Sequence, residues 1–313
     1  MQPDQPTSCT RRAFLGATAA TLDCGFAAPA AAATTAPADD ARRRGRDLVG
    51  LCGVTTGSFV KHLAIKPTPG KLCMLDLPKI MRDELDLQVI DLMTATLPYT
   101  NVDYCAQFRE AAEKAGRTIT NLKLNLADAE IGSSDEAVRR RALVGMKQGI
   151  DAAERLGCRW VRPATTGVKP DRALLVAGLR ELSDYAAPKQ ITLLVENNGW
   201  IKNDAEALPE IVVAVGQGLA VQPDTGNWNP ATRYAGLAKA FPLAVSCDFK
   251  AITLGADGSH PEYDLRKCFD IAWQAGFRGP WCFEHGNPSL PELLKNLIWL
   301  REQITAWTKE QSA

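Results

Sequence analysis

From residue 46 onward, short apolar runs alternate with longer amphipathic stretches, and this rhythm constrains the fold more than any other feature of the chain. The runs that read as strands are 48–52, 87–92, 118–126, 160–163, 191–196, 219–223, 244–249 and 281–284. The stretches between them carry helical periodicity and helix punctuation. Residues 102–115 stop at Gly116, 135–156 at Gly157, 204–215 at Gly216 and 265–275 at Gly276, each glycine a C-cap signal. Residues 171–187 stop before Pro188. Ser133 and Ser134, Asp171 and Asp204 are N-cap signals at helix starts. Short strands alternating with helices pair in parallel through right-handed crossovers. Eight such units predict an α/β fold, the (β/α)8 TIM barrel, for which 313 residues is an ordinary length. A doubly wound open sheet is the competing architecture, but GLCGVTTGS at the first strand lacks the G-x-G-x-x-G spacing of a dinucleotide site.

A barrel of this kind does its chemistry at the C-terminal ends of its strands. Four consecutive runs end in acids. The fifth, ITLLVENN, passes from apolar side chains straight to Glu196; the sixth, LAVQPDTGNW, reaches Asp224; the seventh, AVSCDFKA, carries Asp248 and Lys250; the eighth, PWCFEHG, ends in Glu284. Their separations of 28, 24 and 36 residues are each close to one βα unit. A carboxylate at the end of a buried run is costly without a partner. Four of them brought to one barrel mouth repel unless a cation or protons intervene. The economical partner is a shared divalent metal, and an all-oxygen donor set suits a hard ion such as Mn or Mg. Taken alone, an acid after a strand is more often a helix N-cap or loop residue, and for Asp224 the two readings weigh equally; the metal reading rests on the four together. An Asp248–Lys250 salt bridge is disfavoured, because side chains two apart on a strand project in parallel.

Other candidates flank these ends. Arg162 closes the fourth strand and suits either a substrate oxygen or a salt bridge at the rim. Lys250 suits a substrate hydroxyl or carboxylate, or serves to neutralise the acids. Trp200 and Trp228 lie in the loops after strands five and six, where aromatic faces stack on sugars or cover the barrel end. His62 lies in the long segment after strand one, where such barrels keep a lid. His285 follows Glu284 directly and is expected to point away from the pocket.

These residues resemble the xylose isomerase-like barrels of the sugar phosphate isomerase/epimerase group. The resemblance spans about residues 47 to 305 and is carried by GLCGVTT, EAAEKAGRTITNLKL, GIDAAERLGCRWVRP, LLVENN, PDTGNW and FEHG. It implies a metal held by Glu196, Asp224, Asp248 and Glu284. It further implies an isomerase or epimerase of a sugar or sugar derivative that moves a proton next to a carbonyl, with Glu196 and Glu284 as acid and base. Members commonly have histidine where this chain has Asp248. Many also have histidine where it has Asn198 and Asn227, which here are read as substrate-binding. Two rivals follow from these departures: a metal-dependent lyase on 3-keto-glycosides, and a non-catalytic carbohydrate-binding or partner subunit with a degraded metal site. The endonuclease IV branch of the superfamily is similar in fold, but it uses several histidines and more than one metal.

The N-terminal residues read differently. TRRAFL, with Arg11 and Arg12, resembles a twin-arginine export signal, followed by an alanine-rich stretch and A-x-A sites at Ala28-Pro29-Ala30 and Ala36-Pro37-Ala38. Residues 1–38 are therefore expected to be a signal directing export to the periplasm, and residues 39–313 one barrel domain. Nine cysteines include Cys9 and Cys24 in that signal; none forms a C-x-x-C pair, so the remaining seven read as core filler. A net charge of zero gives no field for nucleic acid. No apolar run is long enough to span a membrane. The expected partner is a small carbohydrate substrate, and a homo-oligomer is compatible with the composition.

Overall fold

The computed structural model describes residues 45–127, 130–164, 168–255 and 257–313. The expected export signal, with Cys9 and Cys24, lies outside the described residues. Eight parallel strands form the sheet: β1 (Cys52–Thr55), β2 (Val89–Met93), β3 (Thr118–Lys123), β4 (Trp160–Arg162), β5 (Thr192–Val195), β6 (Leu219–Val221), β7 (Cys247–Lys250) and β8 (Trp281–Glu284). Their order is β6-β5-β4-β3-β2-β1-β8-β7. The two ends of that order meet through parallel bridges at Val221–Ala244 and Asp224–Asp248. Val245 N–H donates to Val221 O at 3.1 Å, Asp248 N–H to Pro223 O at 2.9 Å and Thr225 N–H to Asp248 O at 3.0 Å. Two of the acids singled out in the sequence thus sit on the seam that closes the barrel.

Each strand is followed by a helix: α1 (Leu77–Ile80), α2 (Val102–Lys114), α3 (Glu136–Leu156), α4 (Arg172–Ala186), α5 (Ala207–Val215), α6 (Arg233–Ala240), α7 (Leu265–Gln274) and α8 (Leu290–Ser312). The α3 cap is Asp135, whose carboxylate accepts from Ala137 and Val138 N–H, not Ser133 or Ser134. Asp171 caps α4 as expected. Asp204 instead bonds Glu206 N–H in the turn before α5. The first strand begins at Cys52, not at residue 48. Arg46–Leu48 forms a 3-10 turn, and Gly50 at φ 72° breaks the extended backbone that the apolar run suggested.

Alternation along the strands sorts side chains into two layers. Val54, Leu92, Leu122, Val161, Val221, Phe249 and Phe283 face the helices and join the main core. Facing inward at the lower end, Trp160, Leu194 and Val245 pack with Leu48 as a small apolar plug. Gly53 on β1 must lack a side chain, because a Cβ there would lie 2.3 Å from Val89 O. All seven described cysteines are free, and all but Cys73 are buried. No helix among the described residues is long and apolar enough to cross a membrane.

Candidate active site

Above the plug, the inside of the barrel is polar and largely buried. Asn121 on β3 donates to Gln222 Oε1 at 2.9 Å, and Gln222 donates to Asp91 Oδ2 on β2 at 2.7 Å. Lys123 on β3 places Nζ 2.7 Å from both oxygens of Asp248 and 3.5 Å from Asp91. Arg162 at the end of β4 places Nη1 2.8 Å from Glu196 Oε2. Lys250 places Nζ 2.9 Å from Glu284, 3.3 Å from Asp224 and 3.0 Å from Asn227 Oδ1. A buried charge without a partner is among the costliest features a fold can carry. Here five acids (Asp91, Glu196, Asp224, Asp248 and Glu284) interleave with three bases (Lys123, Arg162 and Lys250).

The local backbone fixes the acids. Asn197 next to Glu196 donates to Asp224 O at 2.9 Å and accepts from Asp224 N–H at 2.8 Å, clamping the ends of β5 and β6 together. Asp224 Oδ1 accepts from Gly226 N–H at 2.7 Å and Asn227 N–H at 3.0 Å, the turn that the PDTGN run encodes. A Cβ at Gly226 would lie 2.6 Å from Lys250 Cδ, so this glycine clears the path of the lysine. Asn227 in turn donates to Glu196 Oε1 at 2.6 Å.

Burial dominates the electrostatics. It pushes Asp224 up to about 7 against the pull of Lys250. Burial raises Asp91 and Asp248 as well, despite the attraction of Lys123. Burial works against the charge on Lys123, but Asp248 and Asp91 outweigh it, so this lysine stays protonated. Burial also disfavours the charge of Glu284, yet Lys250, Lys123 and Arg162 together hold its carboxyl below the usual range.

Five acids against three bases leave two negative charges at full ionisation, the charge of one divalent ion or of two shared protons. Glu196, Asp224 and Asp248 offer carboxylate oxygens within 4.8 Å of one another, and this buried triad could hold a metal. Its hard oxygen donors suit a divalent ion. Glu284 stands outside that group, on Lys250, and Lys123 already engages both oxygens of Asp248.

A cavity of about 480 Å³ opens over this floor, lined by Lys123, Arg162, Glu196, Asn198, Asn227, Lys250 and Glu284 together with Met93 and Asn125. The structure thus gathers Glu196, Glu284, Arg162, Lys250, Asn198 and Asn227 at one mouth, with Asp224 and Asp248 beneath. Trp228 is elsewhere: it is buried in the core, and a Cβ at Gly236 would touch its ring at 2.7 Å, so it lines no part of this cavity. His62 also lies outside the lining, with Nε2 2.8 Å from Asn287 O, which ties the segment after β1 to the loop after β8. His285 points away, its ring set between Ala251 O and Asn296. Asp91 and Lys123 were missed in the sequence. Their signal was a charged residue inside the apolar runs LQVIDLM and TITNLKL, visible only once the inward face of each strand is known.

Comparison with known proteins extends this picture. Residues 84–303 match the sequence profile described as "Xylose isomerase-like TIM barrel". An L-ribulose-5-phosphate 3-epimerase of Salmonella paratyphi B is 23% identical, over 71% of this chain and 85% of its own length. Among solved structures, the D-psicose 3-epimerase of Clostridium cellulolyticum superposes with a TM-score of 0.65 at 13% identity, covering 82% of this chain and 98% of its own. A xylose isomerase-like protein of Mycobacterium smegmatis, solved in complex with magnesium, superposes with a TM-score of 0.59 at 20% identity, covering 82% of this chain and 97% of its own.

Proposed function

Because the chain belongs to the xylose isomerase-like TIM barrel family, we propose that it is a sugar epimerase or isomerase working by proton transfer next to a carbonyl. The observation that supports this most is that Glu196 and Glu284 open into one cavity beside Lys250. That the similar protein of Salmonella paratyphi B is a 3-epimerase supports the same reading.

Epimerisation begins when a base removes the proton from the carbon beside the carbonyl, and ends when an acid returns one. Glu284, held ionised by Lys250, takes the proton. Glu196, fixed in place by Arg162 and Asn227, serves the opposite face. Lys250 and the Asn227 amide present donors where the carbonyl oxygen gains negative charge. Arg162 and Asn198 bind substrate hydroxyls. Glu196, Asp224 and Asp248 would hold a divalent ion, Mn or Mg by donor type, which when bound supplies further positive charge for that oxygen.

The test is proton exchange. Ketoses incubated with the protein in D₂O, with and without Mn²⁺, should take up deuterium beside the carbonyl and yield the epimer. Loss of a substituent from a 3-keto-glycoside would instead mark the lyase. No exchange across a panel of ketoses and keto-glycosides would overturn catalysis and leave the binding-subunit reading.

The TRRAFL run supports export to the periplasm by the twin-arginine route. An Arg11→Lys, Arg12→Lys precursor should stay in the cytoplasm; normal export of that variant would reject the route.

A further inference from the structure

We propose that the cavity selects a neutral, unphosphorylated sugar and rejects its phosphate ester. This rests on the epimerase or isomerase reading and sharpens it to a substrate class. A phosphate ester brings about two negative charges and a set of strong acceptor oxygens. Sites that take one offer spare positive charge, commonly a forked arginine or a lysine.

This mouth has none to spare among its described lining residues. Lys123 is 2% exposed and committed to Asp248 and Asp91. Arg162 gives Nη1 to Glu196 and Nη2 to Asn125 Oδ1, each at 2.8 Å. Lys250 is shared by Glu284, Asp224 and Asn227. Acids outnumber bases in the cluster, and a bound divalent ion would bring the balance to neutral, not to an excess of positive charge. Without the ion a phosphate would therefore enter a largely buried site against like charge; with it the phosphate would meet no net positive charge, and in either case it would have to break a buried ion pair to find a cation. The internal residues outside the description, 128–129, 165–167 and 256, contribute no Lys, Arg or His to the sequence. The remaining polar groups of the rim are neutral, the amides of Asn125, Asn198 and Asn227, of which Asn125 also accepts from Arg162 and Asn227 also meets Glu196 and Lys250. Rejection by charge is the device by which a site discriminates between otherwise similar ligands.

The experiment compares matched pairs on the full chain: L-ribulose against L-ribulose 5-phosphate, and D-psicose against D-psicose 6-phosphate. Deuterium exchange gives kcat/KM for each, with and without Mn²⁺. The free sugar of at least one pair should exceed its phosphate by 100-fold or more. Equal or faster exchange of the phosphates overturns the proposal. If no sugar exchanges, the catalytic reading has failed. The charge argument is then judged by calorimetric binding to the same protein: tighter binding of the free sugar supports it, and tighter binding of the phosphate, or no binding of either, overturns it.

Discussion

Lys123 Nζ lies 2.7 Å from both carboxylate oxygens of Asp248, a buried pair that spans the barrel interior from β3 to β7. Asp248, read from the sequence as a metal ligand, stands where members of the family it resembles commonly have histidine. Its first partner is a lysine four strands away by chain order. Removing one member of such a pair strands the other. Lys123→Met should lower stability by about 3–5 kcal/mol. Adding Asp248→Leu to it should recover much of that loss, since both charges then leave the core together. Urea unfolding of the two single variants and the double variant checks this, and additive losses would show that the pair is not coupled.

Glu284→Gln keeps shape and a hydrogen-bond acceptor but cannot take up a proton. Turnover and deuterium exchange should fall together by roughly 10²–10⁴-fold, the usual contribution of an acid–base group. Metal content measured on the same preparation separates this from a lost ligand. Near-normal exchange in a loaded Glu284→Gln protein would remove Glu284 from the proton path.

Metal binding has its own readout. Titration of protein treated with a chelator should show one equivalent of Mn²⁺ taken up, and Asp224→Asn should weaken that uptake at least tenfold, because the triad loses one of its three carboxylates. Glu284→Gln should weaken it less, since Glu284 lies outside the triad. Equal losses in both variants would place Glu284 among the ligands.

His285 predicts an acid limb of the stability curve. Burial lowers its pKa from the ordinary 6.5, and the Ala251 carbonyl acts weakly the other way. The imidazole donates from Nδ1 to Ala251 O and accepts at Nε2 from Asn296, so a second ring proton would face an amide donor. The unfolded chain binds the proton more tightly, so this residue's share of stability is full above 6.5 and is lost as pH falls toward the lower folded value. Asp224, raised to about 7, contributes with the opposite sign over part of that range. The check is therefore the difference between wild type and His285→Gln in urea midpoints from pH 7 to 5. The gap should shrink as pH falls, and a constant gap would reject the assignment.

The sequence by itself determined the repeat, and through it the fold. Alternating apolar and amphipathic runs at eight units, without a dinucleotide glycine pattern after the first strand, favour the closed barrel over an open sheet, and the strands fall within a few residues of where the pattern put them, except at β1. There the positive φ of Gly50 overrode an apolar run. The sequence also determined that Glu196, Asp224, Asp248 and Glu284 stand at or near consecutive strand ends, because one βα unit separates each from the next. It could not determine their partners. Lys123, Arg162 and Asp91 come from strands far away in the chain, and whether they point inward depends on the register of each strand and on barrel closure at Asp224–Asp248. A shift of one residue in register would turn any of them to the helix layer. Trp228 shows the converse: a loop aromatic with every outward sign of a sugar platform, drawn into the core by the space that Gly236 leaves for it. Spacing along a chain sets which residues share an end of the barrel, but only closure of the sheet decides which charges meet, since a charge buried inside it must find its partner across the barrel.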